Sequence, residues 1–325
     1  MAATKIFTKQ PIMRRVVIAT LPCIAASIYF FGWRCFAVIL VSCLVAFAAE
    51  YLFTRRMKKP VSEAVFVTAI IFALIMPPTV PWHILIIGIV FAVVFSKMVF
   101  GGFGFNIFNP AAAGRAFIYI SFPTAMTARW APAAQGSWGA LKIWTTAIGA
   151  NAITAATPMA LAKAGQAPPA LMQLLIGRLA GTMGVTSAAA IILGAIYLVI
   201  SKTANRWIII TVISTYIIIN GVLSLLHVKA SPGILPALLG GGFLFGACYM
   251  ATDPISAPKT RPAQIIYSII LAGATAVIRT FSVFNGGLMF SILLANMFAP
   301  ILDLAFKKNK PNANQLNNRS QQNTK

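Results

Sequence analysis

Apolar blocks of about 16 to 20 residues recur along this chain from near its start to Asp303, and no other feature limits its fold so tightly. A bilayer core of about 30 Å is crossed by roughly 20 helical residues, whereas a barrel strand needs about 9–11. Inside lipid every backbone N–H and C=O must also find its partner within the protein, which blocks of this length do as helices. Ten blocks can be marked, at 16–33, 35–53, 62–76, 83–100, 106–122, 185–201, 206–225, 234–251, 263–281 and 286–306. The reading is an all-α polytopic membrane protein with ten transmembrane helices. Its 59% hydrophobic and 9% charged residues lie far from soluble composition. Residues 1–15 are basic, like the start of a signal peptide. No small-residue cleavage site follows, so the first block is read as a retained helix.

A net charge of +22 would suggest nucleic acid as the partner of a soluble chain. Here the cations gather at helix ends, in alternate loops and in the tails, and no basic face is interleaved with aromatics, so no nucleic-acid role is expected. Arg14, Arg15, Arg55, Arg56, Lys58, Lys59, Lys202, Arg206, Lys259, Arg261 and the tail fall on one side, and the positive-inside rule makes that side cytoplasmic. Both termini are then cytoplasmic, and the weakly hydrophobic stretch 126–184 lies outside. The Asn-, Gln- and Lys-rich residues 307–325 read as a disordered cytoplasmic tail.

Two parts of the chain share an order of residues. Met76-Pro77-Pro78-Thr79-Val80-Pro81 is followed by an apolar helix, Lys97, Gly101-Gly102 and Phe108-Asn109-Pro110. Thr252-Asp253-Pro254 through Pro258 is followed by an apolar helix, Arg279, Gly286-Gly287, Asn296 and Pro300. Five helices per copy is an odd number, so the second copy enters the membrane inverted. The expected organisation is a first repeat at 1–125, an extracytoplasmic loop at 126–184 and a second repeat at 185–306. Proline removes a donor and disfavours helix at the residue before it, so broken helices are expected near Pro77 and Pro254. Such repeats place sites at their interface.

Chemistry-bearing residues are few. Glu50, Glu63, Asp253 and Asp303 are the only side-chain carboxylates, and His83 and His227 the only histidines, without metal-ligand spacing. No hydrolytic triad or Walker loop is present. Cys23, Cys35, Cys43 and Cys248 are scattered through apolar blocks and read as small hydrophobes. Charges kept inside a membrane usually face the bundle interior or a pathway, which selects Lys97, Arg115, Asp253 and Arg279, with Asn109 and Asn296 at the matched breaks. Glu50, Glu63 and Asp303 sit near helix ends, where pairing with Arg or Lys is the ordinary role. For Asp253, ligand contact, cation handling and simple helix termination all remain open.

In the long outer stretch, Thr154-Ala155-Ala156-Thr157 precedes Pro158, with helix-forming residues up to Gly165. Threonine is a favoured cap and proline a favoured first helical residue, so Thr157 is read at a helix N-terminus, where a phosphate would also be stabilised. A plain cap and a phosphate anchor both fit these residues.

Gly101-Gly102, the run Phe108-Asn109-Pro110-Ala111-Ala112-Ala113-Gly114-Arg115, Ala251-Thr252-Asp253-Pro254 and Leu294-Ala295-Asn296-Met297-Phe298-Ala299-Pro300 together resemble one respiratory family. It comprises the D subunit of the Rnf electron-transport complex and the B subunit of the sodium-translocating NADH:quinone reductase. The likeness extends from about residue 11 to 306. It implies a ten-helix subunit in the cell inner membrane carrying FMN as a phosphoester on a threonine, here Thr157, with Thr154 opening the motif. Ala155 stands where glycine is usual and Asn151 where an acid is common, and neither change removes the acceptor hydroxyl. Lys142, Lys163 and Arg129 are candidates to offset the charge of the phosphate. A second, non-covalent flavin, riboflavin, is also implied.

The resemblance implies electron transfer between ferredoxin and NAD coupled to Na+ or H+ movement. The expected partners are the other Rnf proteins, namely the flavin-bearing RnfG, the membrane proteins RnfA and RnfE and the iron–sulfur proteins RnfB and RnfC, together with membrane lipid. The Rnf member is preferred because the longer N-terminal extension of its quinone-reductase counterpart is not seen. A channel or solute carrier of inverted-repeat architecture is the rival from another class. A scaffold whose flavin site has decayed is a third reading.

Overall fold

The computed structural model describes residues 7–127, 130–146, 158–164, 166, 168–228, 230–282, 284 and 286–307. The expected tail beyond 307 lies outside them. Ten helical segments follow the apolar blocks closely. The first five are α1 (Pro11–Phe31), α2 (Arg34–Arg56), α3 (Ala64–Leu74), α4 (Trp82–Val93) running into a π turn at Val94–Met98, and α5 (Pro110–Ser121). Short helices α6 (Pro123–Thr127), α7 (Pro158–Lys163) and α8 (Leu171–Ile176) come next. The remaining five segments begin with α9 (Ala188–Ile200) and α10 (Arg206–Leu225). A broken segment then joins α11 (Ile234–Leu239), α12 (Phe243–Phe245) and a π turn at Gly246–Met250, before α13 (Arg261–Phe281) and α14 (Leu288–Ala305). Among the described residues, five helices are long and apolar enough to span a membrane alone.

α1 starts at Pro11 rather than at 16, because proline at the first helical position needs no N–H partner. The breaks expected near Pro77 and Pro254 fall between Leu74 and Trp82 and between Met250 and Arg261. Two features were not foreseen. A two-residue parallel ladder joins β1 (Phe7–Thr8) to β2 (Val61–Ser62), the one strand pairing among the described residues. The eighth block is also interrupted at Gly240–Gly242, where Gly241 and Gly242 adopt φ of +60° and +71° that side chains resist.

Contacts between the halves are reciprocal. α1 packs on α9, the first helix of each half, and α5 on α14, the last of each. That is the pairing expected of two halves related by a pseudo-two-fold axis. Within the first half, a Cβ on Gly114 of α5 would lie 2.6 Å from Ala92 and 2.8 Å from the Gly88 carbonyl of α4, so only glycine permits this approach. Leu44, Ile200 and Leu225 are more than half exposed on the outside of the bundle, where they suit acyl chains.

The two ends of the bundle differ. At one, the loop 130–146 docks on the α1–α2 turn, with Ala140 N to Tyr29 O at 2.7 Å and Arg34 N to Trp144 O at 2.7 Å. At the other, Arg15 donates to Ser201 O at 3.0 Å and the α13 cap, Thr260, donates from its backbone N–H to Asp303 of α14 at 2.9 Å. Both ends of the helical chain therefore lie at this second, basic end.

Glu63 ties the N-terminal clasp there, accepting from Gln10 N at 2.7 Å and from Arg14 Nε at 3.0 Å. The Arg14 side chain, and then the Gln10 amide, hold its carboxyl below the usual glutamate range. A depressed folded-state pKa contributes stability above the unfolded value, and that contribution disappears as pH falls through the folded value. Proteolysis of the segment before α1 should therefore rise as pH drops below about 4, and Glu63→Gln should be cut equally readily at neutral pH. Cleavage independent of both pH and this substitution would refute the clasp.

Candidate functional site

The breaks leave helix carbonyls without partners inside the bundle, and arginines from neighbouring helices meet them. Arg115 on α5 donates to the Ile75 carbonyl just past the end of α3. Arg279 on α13 is 4% exposed and donates to Gly241 O at 2.7 Å, Ala237 O at 3.3 Å and Tyr216 Oη at 3.2 Å. Its guanidinium lies 5.9 Å and 5.7 Å from the ring centroids of Tyr216 and Phe243, which stack on each other at 3.8 Å. A Cβ on Gly241 would come within 3.1 Å of this guanidinium, so the glycine break also creates the arginine's seat. Neither arginine has a carboxylate partner among the described residues.

Between these two braces, toward the end covered by loop 130–146, a cavity encloses about 990 Å³, part of it open to the outside. Tyr119, Trp130, Met159, Leu288 and Met289 give it an apolar and aromatic wall, and Arg115 its positive charge. Met159 is the second residue of α7 and is buried against Gly241. The short helix that follows Thr157 therefore opens beside the cavity.

At the middle of the bundle the two matched asparagines meet. Asn109 caps α5, its Oδ1 accepting from Ala112 N at 3.2 Å, while its Nδ2 donates to Met250 O at 3.2 Å. The Asn109 backbone N–H donates to Asn296 Oδ1 at 3.4 Å, and Asn296 Nδ2 donates to Ser256 O at 2.9 Å. Both side chains are buried. They satisfy the backbone opened by the second break and join the halves. Leaving a buried carbonyl unpaired costs about 1–3 kcal/mol. Asn109→Ala and Asn296→Ala should each destabilise by that amount, and the double variant by less than the sum because they share one network. Additive losses in detergent melting would contradict the coupling.

On the basic-end side of this layer a second, smaller cavity, partly open to the outside, is lined by Lys97, Asn106, Asn109, Tyr249, Thr252 and Asp253. Lys97 Nζ lies 2.6 Å from Glu50 Oε2 and 2.6 Å from Ser62 Oγ, with both charged side chains 2% exposed. Ser62 N and Oγ complete the shell of Glu50 at 2.9 and 2.7 Å. Asp253 Oδ2 accepts from Ser256 Oγ at 2.7 Å.

The residues selected from sequence thus divide. Lys97, Asn109 and Asp253 share the inner cavity, Arg115 lines the outer one, Arg279 braces its wall, and Asn296 lies in the layer between. Lys97 and Arg279, matched by position, differ in partners, and it is Arg115 that acts on a broken helix as Arg279 does. Lys142 is exposed on loop 130–146, 5.4 Å from the Trp138 ring centroid, and does not line the outer cavity. Lys163 ends α7; Thr154, Thr157, Asn151 and Arg129 lie outside the described residues. Sequence reasoning missed Tyr119, Trp130 and the Gly240–Gly242 break, although three consecutive glycines within an apolar block were a readable sign of the last.

The model of the NQR2, RnfD, RnfE family matches residues 3–311. The chain belongs to this family. Among its relatives in the family, the D subunit of the Na(+)-translocating ferredoxin:NAD(+) oxidoreductase complex of Acetobacterium woodii is 34% identical, covering 90% of this chain and 87% of that one. The D subunit of the ion-translocating oxidoreductase complex of Alcanivorax borkumensis is 32% identical over 90% of this chain and 89% of its own. A family member of the other kind, the B subunit of the Na(+)-translocating NADH-quinone reductase of Ectopseudomonas mendocina, is 35% identical over 78% of this chain but only 62% of its own.

Proposed function

We propose that this chain is the D subunit of an Rnf-type ion-translocating ferredoxin:NAD oxidoreductase, a membrane redox subunit that holds FMN through Thr157. The observation that carries this reading is the likeness to D subunits over 90% of this chain, against 78% of it for the quinone-reductase counterpart. The outer cavity fits such a group on its own terms. Its walls suit a flat aromatic ring system, and the nearby Arg115 and Arg279 have no carboxylate partner among the described residues to cancel their charge.

Thr157 would supply the esterified oxygen, and α7, fixed by Met159, would hold that attachment at the cavity mouth. Tyr119 and Trp130 would supply contact area, and Arg115 a positive field. A flavin supplies the capacity to exchange electrons singly as well as in pairs. Flavin-bearing and iron–sulfur partner subunits would deliver and receive those electrons.

Ion movement is assigned to the basic-end cavity. Asp253 lines it together with Lys97, whose charge Glu50 already matches, so an ionised Asp253 would favour a small cation over an anion. The basic end is read as cytoplasmic by the positive-inside rule, which puts both termini in the cytoplasm and loop 130–146 outside. Intact-protein mass spectrometry of the chain co-expressed with a flavin transferase tests the cofactor, which adds one flavin nucleotide less water. Purified unmodified protein that conducts a solute in liposomes would instead establish the carrier reading.

A further inference from the structure

We propose that Arg206, Trp207 and Arg261 form a binding site for the headgroup of an anionic phospholipid at the basic end of the bundle. The chain has 26 Lys and Arg against four Asp and Glu. All four side-chain carboxylates are engaged within the fold: Glu50 with Lys97, Glu63 with Arg14, Asp253 with Ser256, and Asp303 with the backbone N–H groups of Lys259 and Thr260. The cations at this end must therefore find their counter-charges outside the chain.

At one place they are organised. α10 and α13 pack along each other and both begin at this end, so Arg206 and Arg261 converge on a single ring. Their guanidinium carbons lie 6.0 Å and 5.8 Å from the Trp207 centroid, and the ring is 41% exposed. Both arginines are exposed, and neither has a carboxylate within ion-pair distance among the described residues. Two cations at helix N-termini are held against the helix dipole, a placement that an external anion relieves. The amides there are already used, Asn205 Oδ1 accepting from Trp207 N and Asp303 from Thr260 N. Recognition rests on the two guanidiniums, whose forked N–H groups match phosphate oxygens.

The surface running from this cluster toward the membrane middle selects a lipid over a soluble anion or an acidic protein. Arg261, Ile265 and Ile269 recur at four-residue spacing on one face of α13, and Ile210 lies one turn beyond Arg206 on α10. Ile210, Ile265 and Ile269 are 57%, 42% and 47% exposed. A charged cluster over an apolar stripe, with tryptophan at the junction, matches a headgroup above its acyl chains.

The test is lipid retention by the purified full-length protein. It is reconstituted with dioleoyl phosphatidylglycerol or dioleoyl phosphatidylcholine, delipidated stepwise and examined by native mass spectrometry. Wild type should retain phosphatidylglycerol at least tenfold better than phosphatidylcholine, and R206Q/R261Q should abolish the preference. K58Q/K59Q removes equal charge from a loop at the same end and should preserve it. If the double variant fails to fold, R206Q and R261Q are scored singly in the same way. Equal loss in both charge-matched variants would show only a diffuse field. Displacement by millimolar inorganic phosphate would show a free-anion site, and crosslinking from position 207 to a partner protein without bound lipid would show a protein interface. Each of these three results overturns the proposal.

Discussion

Thr157→Ala should abolish the flavin fluorescence that stays with this chain after denaturation, while membrane insertion and yield remain close to wild type. The substitution removes the proposed ester oxygen, so the loss is all or none. Read from the sequence as a helix cap, Thr157 should cost no more than about 0.5–2 kcal/mol on removal, borne by a six-residue helix whose placement depends on Met159 packing beside Gly241. Thr157→Ser keeps a hydroxyl and should keep part of the signal. Thr154→Ala keeps the acceptor and should be labelled. Fluorescence persisting in Thr157→Ala, or lost equally in Thr154→Ala, would move the attachment elsewhere. Met159→Ala adds a test of placement, because it leaves the acceptor intact and enlarges the cavity against Gly241. Labelled protein with a more solvent-quenched flavin is the expected result.

The membrane spans were legible because block length alone sets them, and the breaks at Pro77 and Pro254 because proline carries its backbone consequence wherever it stands. Asn109 and Asn296 were legible as a pair from their matched positions. What they bond was not, since Met250 O and Ser256 O are backbone groups that every residue has. The same holds for Arg115 and Arg279: an arginine in an apolar block announces a buried cation, but a carbonyl partner leaves no mark in the sequence. Position within the repeat matched Lys97 to Arg279, yet Lys97 found Glu50, because the α2–α3 connection brings Ser62 and Glu50 to the same point. The outer cavity was least legible of all. Its walls come from α5, loop 130–146, α7, the Gly240–Gly242 break and α14, segments whose apolar residues resemble those that face lipid.

Lys97→Met should cost about 3–5 kcal/mol, the usual penalty for stranding one member of a buried ion pair. Glu50 would keep its two bonds from Ser62 but lose the one cation paired with it among the described residues, at 1% exposure and with no solvent to replace it. Glu50→Met strands Lys97 in the same way. The double variant Lys97→Met/Glu50→Met removes both charges and their desolvation, so it should recover most of the stability, and thermal melting in detergent would show strong non-additivity. This cycle separates packing from transport. If the pair only braces the α2–α4 contact, the double variant should also recover ion-dependent turnover in the assembled complex. If the inner cavity passes a cation through the field of Asp253, removing the neighbouring pair should alter the ion concentration needed for half-maximal turnover while stability is restored. Asp253→Asn should then abolish the ion dependence outright. A fully active Asp253→Asn complex with unchanged ion dependence would take the pathway away from this cavity and leave Lys97, Glu50 and Ser62 as a purely structural brace.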